Sequence, residues 1–223
     1  YNFYRATKMA TQNKLWAGMA KETAHQIGTP LSSLIGWLEI LKLDNVEEST
    51  IVEIEKDITR LQTITDRFSK IGSEPVLEKR DIIEDTKNTV DYLQTRVSQQ
   101  VNFYFKAPQH PVFVEINPAL HSWTIENLVK NAIDAMKGKG SLNIVISELE
   151  DMVKISISDT GKGIPKNQFT KVFEPGFTTK KRGWGLGLSL TKRIVQEYHK
   201  GKIKVVHSEI GKGTTMQISY KTT

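Results

Sequence analysis

No cysteine occurs among the 223 residues. That excludes a disulfide framework and thiolate chemistry, and it fits a reducing compartment without requiring one. No stretch approaches the roughly 18 consecutive apolar residues of a membrane span. Long basic runs interleaved with aromatics are missing, which argues against nucleic acid as a partner. No signal peptide is visible and the chain begins at Tyr1 rather than Met, so it reads as a fragment whose upstream part is missing. Internal repeats and low-complexity tracts are absent as well. What remains is 38% hydrophobic and 25% charged, the composition of a soluble globular protein. The length is generous for one compact domain and comfortable for two.

The first seventy residues carry a helical pattern. Ile27, Leu31, Leu34, Leu38 and Leu41 form a heptad seam that continues back through Ala24, Ala20 and Ala17. Asp44-Asn45 interrupt it, and Glu47-Glu48-Ser49 suit a helix restart. A second seam runs through Ile54, Ile58, Leu61, Thr65 and Phe68. Two such helices form a hairpin that cannot cover its apolar faces alone, so a four-helix bundle built by two chains is expected. Gly72, Ser73 and Pro75 mark a linker over 72–80. Beyond it the pattern mixes helices (81 to about 99, 118 to about 136, 184 to about 199) with strands at 101–105, 112–116, 143–149, 152–158, 202–207 and 214–220. This predicts an α+β two-layer sandwich over 81–223.

The residues able to do chemistry fall into four groups. His25 lies at heptad position b, the solvent side, within Ala24-His25-Gln26-Ile27-Gly28-Thr29-Pro30. A mid-helix Pro30 removes a backbone donor and costs about 3 kcal/mol, and Gly28 weakens the same turn. A helix that accepts a kink beside an exposed imidazole has a use for it. A histidine with an ordinary pKa near ~6.5 keeps a free ring lone pair at pH 7, which is a competent nucleophile for phosphorus. Asn127 and Asn131 sit four apart on one helix face, where amide oxygens can meet one Mg²⁺. Asp159-Thr160-Gly161-Lys162-Gly163 ends an alternating strand. Its carboxylate can accept from an adenine amino group while the glycines let the base approach. Gly183, Gly185 and Gly187 precede a helix and can offer backbone N–H groups to phosphates; no βαβ unit leads into them, which argues against a dinucleotide fold. Between the glycine stretches, Phe169 to Arg182 has little periodicity and suits a mobile lid. Lys180, Lys181 and Arg182 can reach phosphates, or belong to a solvated basic loop. The net charge of +6 suits ATP or an acidic protein partner, though an ordinary solvated surface explains it equally well.

In order and spacing these groups resemble the catalytic core of a two-component sensor histidine kinase over nearly the whole chain. The His25 segment resembles the H box and Asn127–Ala132 the N box. Asp159–Gly163 and Gly183–Gly187 resemble the two glycine boxes, and Phe173–Phe177 the phenylalanine box. The resemblance implies a dimerisation and phosphotransfer hairpin over 1–71 and an ATP-binding domain over 81–223 of the gyrase and mismatch-repair type. It implies Mg-ATP as cofactor and His25 as phosphoacceptor. The nucleotide set would comprise Asn127, Asn131, Asp134, Asp159, Gly161, Gly163, Lys180, Arg182, Gly183, Gly185, Leu186 and Gly187, with Asn131 and Asn127 on Mg²⁺. Partners would be a second copy of the chain and the receiver domain of a response regulator. The setting would be cytoplasmic, as part of a larger sensor, whether membrane-bound or not.

The family has an acidic residue directly after the histidine, and here that place holds Gln26, which accepts a hydrogen bond but is no base. Glu22, three residues before His25, lies on nearly the same face and can compensate. Thr29 stands where the family positions a hydrolytic water, so phosphatase activity toward the regulator is expected. Two other readings compete: an ATPase or serine kinase of the same nucleotide-binding superfamily, and a dimeric scaffold with a degenerate nucleotide site and weak kinase activity.

Overall fold

A computed structural model describes residues 27–44, 46–71, 75–180 and 185–223. The chain divides into two compact units, Tyr1–Pro75 and Val76–Thr223.

In the first unit, helix α1 covers 27–43 and α2 covers Glu48–Ile71. Leu31, Leu38 and Ile58 are buried together, with Ile51 and Ile54 packed against them. Lys42 clamps the turn end through ion pairs to Glu39 and to Glu55 across the hairpin, at 2.9 and 2.7 Å. The seams are only half closed. Leu34 is 45% exposed and Leu61 40%, although both occupy seam positions. One neighbouring helix covers one side of a seam and leaves the other open.

The second unit begins sooner than the sequence pattern indicates. The segment expected as linker ends in a strand, β1 (Glu78–Asp81), which pairs antiparallel with β3 (Phe113–Ile116). Asp81 then caps α3 (Ile82–Gln94): its Oδ1 accepts from the Ile83 N–H at 3.0 Å and from the Val112 N–H at 3.2 Å. The helix stops at Gln94, short of the expected Gln99. Helix α4 (Pro118–Ala135) starts on an Asn117 cap, whose side chain accepts from the Leu120 N–H, with Pro118 in the first turn.

The main sheet holds five strands: β2 (Val101–Lys106), β4 (Gly140–Leu149), β5 (Met152–Asp159), β6 (Lys202–Glu209) and β7 (Gly213–Lys221), in the order β2-β4-β5-β7-β6. All neighbours are antiparallel except β2 and β4. Parallel neighbours need a long crossover, and α4 lies within that connection. Ile144, Ile155 and Ile218 project from β4, β5 and β7 into the core, each fully buried, and meet Ile125 and Val129 of α4. Helix α5 (Gly187–Arg193) continues into a π-turn, Ile194–Tyr198, closed by the His199 N–H on the Ile194 carbonyl at 3.0 Å. The sequence pattern joins these into one helix.

The widened turn delivers His199 into a sealed polar cluster. His199 Nε2 accepts from the Asn117 N–H at 3.1 Å. His121, fully buried on α4, has Nε2 at 2.9 Å from Thr86 Oγ1. Both rings meet Tyr220 edge-on, with centroids 6.0 and 5.8 Å away. Burial, reinforced by His199, drives the His121 pKa down to about 3, with Asp85 of α3 opposing. Burial alone drives His199 to about 4. The unfolded chain therefore binds protons below its ordinary value of 6.5 while the fold does not. Stability is level above that pH and falls as pH drops toward about 4, with a limiting slope of about 1.4 kcal/mol per pH unit for each ring. Urea unfolding should show a loss of about 2–4 kcal/mol between pH 7.5 and pH 5. His199→Gln, which keeps an acceptor near the Nε2 position, should remove about half of it. An unchanged pH dependence in that variant would refute the assignment.

Candidate functional site

A cavity of about 720 Å³ opens between the C-terminal half of α4, the end of β5 and the segments Phe177–Lys180 and Gly185–Leu188. Its lining is apolar toward Leu128, Ala132, Ile157, Val172 and Met216 and polar toward Asn131, Asp134, Lys162 and Lys180. An apolar slot with a charged rim fits a flat heterocycle carrying an anionic tail.

Asp159 is the last residue of β5, opposite Thr214 of β7. Its Oδ1 accepts from the Gly161 N–H at 2.7 Å. Burial raises its pKa, while backbone N–H groups of Gly161 and Thr214 work against the rise. The carboxylate is thus held by backbone on one side and faces the cavity. The turn after it is fixed from two directions: the Lys162 N–H donates to the Ala135 carbonyl at 3.1 Å, and its carbonyl accepts from the Gly211 N–H at 2.9 Å. At Gly163, φ is +74° and a Cβ would collide with the Glu209 carbonyl oxygen. Only glycine fits there.

The asparagines of α4 do different things. Asn131 Oδ1 accepts from Lys180 Nζ at 2.9 Å, and Asp134 Oδ2 takes the same ammonium at 2.5 Å. Asn127 instead turns toward the second glycine box. Its Nδ2 donates to Thr191 Oγ1 at 3.4 Å, and its Oδ1 is the atom that a Cβ on Gly187 would meet first, at 3.7 Å. Two oxygens one helical turn apart converging on a cation are a suitable start for a Mg²⁺ site, the ammonium serving as stand-in. The oxygens that meet the ammonium are those of Asn131 and Asp134; the Asn127 side chain is engaged with Thr191.

The expected mobile lid is tethered at its root. Residues Lys166–Gln168 and Lys171–Phe173 form tight 3₁₀ turns, and Val172 and Phe173 sit in the core. Gly176 and Gly185 close on each other, the Gly176 N–H donating to the Gly185 carbonyl at 3.1 Å. A Cβ on Gly185, where φ is +66°, would lie 2.5 Å from the Gly176 carbonyl carbon.

Gly163, Gly185, Leu186 and Gly187 are thus gathered with Asn127, Asn131, Asp134, Asp159 and Lys180 around one cavity, while Gly161 stands behind Asp159 as its backbone donor. Arg182 and Gly183 lie outside the described residues, as do Glu22, His25 and Gln26. Thr29 lies on an exposed part of α1. Sequence reasoning passed over Lys162, Phe177 and Thr214, all of which line the cavity. Lys162 was visible inside the first glycine box; Thr214 faces Asp159 only through strand pairing, which leaves no local signal.

Residues 120–223 match the family described as "Histidine kinase-, DNA gyrase B-, and HSP90-like ATPase". The chain is 31% identical over 212 residues to sporulation kinase E of Bacillus subtilis (strain 168), spanning 90% of this chain and 28% of that protein. It is 30% identical over 223 residues to the sensor histidine kinase ZraS of Escherichia coli (strain K12), spanning 96% of this chain and 46% of that one. The chain therefore spans less than half the length of either relative. Among solved structures, the nucleotide-free catalytic domain of histidine kinase ThkA superposes with a TM-score of 0.59 at 26% identity, over 65% of this chain and 95% of that one. ThkA in complex with response regulator protein TrrA gives 0.63 at 25% identity, over 100% of this chain and 66% of that one. Among the described residues, no helix is long and apolar enough to cross a membrane.

Proposed function

We propose that the chain, whose residues 120–223 match the ATPase family and whose relatives are kinases, is a histidine kinase catalytic core that autophosphorylates His25 from Mg-ATP and passes the phosphoryl group to an aspartate of a response regulator. The observation that carries the reading is the cavity itself. It has a carboxylate at its base end, an apolar floor, and two oxygens already gathered about a cation at the other end.

Asp159 accepts from the adenine amino group, its Oδ1 steadied by Gly161. The apolar lining excludes water from the ring faces. Asn131 and Asp134 would hold Mg²⁺, which when bound offsets charge on the β- and γ-phosphates. Lys162 and Lys180 are within the cavity to meet phosphate oxygens. The neutral His25 ring forms a bond to the γ-phosphorus as the bond to the ADP oxygen breaks. The ring proton leaves to Glu22 or to water, since Gln26 accepts a hydrogen bond but takes no proton. Thr29 orients a water for the reverse task, dephosphorylation of the regulator. The regulator as partner rests on the ThkA complex with TrrA.

The same reading requires two copies of the chain. Leu34 and Leu61 are open in one hairpin and would close in a bundle of two. Light scattering should give a dimer, and Leu34→Asp a monomer. A carboxylate at this exposed position costs a lone hairpin little but is expensive once buried unpaired. A monomeric wild type would contradict the bundle.

The reaction is tested by incubation with γ-labelled ATP and Mg²⁺. The bound label should be acid-labile and base-stable, and should move to a purified receiver domain. Nucleotide binding without any such label would overturn the kinase reading and favour a plain ATPase.

A further inference from the structure

Lys180 is the one basic side chain among the described residues that meets both Asn131 and Asp134. The next residue back is tied as well: Thr179 Oγ1 accepts from Lys162 Nζ at 2.8 Å. Consecutive residues are thus pinned to the cavity lining, Lys180 to α4 and Thr179 to the first glycine box. We propose that the Lys180 ammonium is a built-in surrogate for the divalent cation, which fastens the end of the segment Phe177–Lys180 to α4 and surrenders its oxygens to the incoming metal.

The inference rests on the proposed metal role of Asn131 and Asp134, but not on phosphotransfer. Its physical basis is competition for a single pair of acceptors. The ammonium lies 2.9 Å from Asn131 Oδ1 and 2.5 Å from Asp134 Oδ2. A magnesium ion would need the same oxygens at about 2.0–2.1 Å. Two cations cannot share them, so binding of one expels the other. The strength of the contact is suited to exchange. The Lys180 and Asp134 side chains are 44% and 55% exposed. An ion pair so solvated is worth roughly a two- to five-fold bias, which a dication can overcome. A fully buried pair would block the site instead. Once expelled, the ammonium stays on the cavity rim, where the polyphosphate arrives. Metal entry and the release of Lys180 from α4 are therefore one event, which leaves the segment held only through Thr179 and Lys162.

The test uses the whole chain without nucleotide. Mn²⁺ affinity is read by water-proton relaxation, and amide hydrogen exchange of the peptide over 176–180 is read by mass spectrometry. Lys180→Met should bind Mn²⁺ roughly two- to five-fold more tightly than wild type and exchange faster over 176–180 by a similar factor. Saturating Mn²⁺ should speed exchange in the wild type, sodium chloride of equal ionic strength should not, and Lys180→Met should no longer respond. Asp134→Asn should free the segment as Lys180→Met does, yet without the gain in Mn²⁺ affinity. Equal Mn²⁺ affinity in wild type and Lys180→Met, or equal exchange over 176–180, overturns the proposal. No readout involves ATP or His25. A failed kinase assay with these shifts present refutes phosphotransfer alone, and the converse refutes the surrogate alone.

Discussion

His25→Gln should incorporate no phosphoryl group from labelled Mg-ATP, while binding ATP as tightly as the wild type. The side-chain amide is nearly isosteric with part of the ring and keeps polar atoms, but its nitrogen lone pair is delocalised into the carbonyl and is no nucleophile. The nucleotide cavity lies wholly in the unit Val76–Thr223, so a change at residue 25 leaves its lining residues untouched. The two measurements therefore separate: calorimetry stays unchanged and labelling disappears. Label retained in the variant would move the phosphoacceptor elsewhere and remove the use inferred for Gly28 and Pro30 beside His25.

The second large effect is expected from Asp159→Asn, through hydrogen-bond direction rather than charge. In the wild type Oδ1 is engaged by the Gly161 N–H at 2.7 Å. An asparagine would keep its oxygen on that donor and turn its NH₂ into the cavity. There it would meet the adenine 6-amino group, donor against donor. A buried polar pair left unmatched costs about 1–3 kcal/mol, so ATP affinity should fall about 10- to 100-fold. The loss should be the same with and without Mg²⁺, because the oxygens proposed for the metal belong to α4. A nucleotide with a 6-oxo group, such as ITP, should lose far less, since the new NH₂ can donate to it. Equal ATP affinity in variant and wild type would refute the adenine role.

Periodicity made the elements of the nucleotide domain legible where one face is buried and the other wet. Strands β5 and β7 alternate cleanly, and α4 carries its own start signal in Asn117-Pro118. Strand β1 escaped because Glu78–Asp81 is charged throughout and is fixed by pairing with β3, a long-range contact with no local pattern. The parallel pairing of β2 with β4 was hidden for a similar reason: two apolar strands do not state their direction. The break after Arg193 was hidden by continuous helical periodicity; its cause is tertiary, the capture of His199 by Asn117. Within the site, the glycine boxes and Asp159 stood out as local clusters. The pairing of Asn131 with Asp134 did not, because i and i+3 face the same way as i and i+4, and only Lys180, forty-nine residues from Asn131, distinguishes them.

Strand order also governs when this domain can come into being. Strand β7 is last in the chain but sits between β5 and β6. Until residue 221 has been synthesised, β5 has an open margin of unpaired N–H and carbonyl groups, and β6 has no place in the sheet. Assembly cannot proceed from the N-terminus by adding finished strands; it waits for the final insertion. A nascent chain stopped before Gly213 would expose an apolar strand edge, the surface on which chains associate with one another. The helical hairpin has no such dependence, since its pairing is between neighbours in sequence. The two units should therefore form at different moments of synthesis, the hairpin early and the nucleotide domain in a single late step.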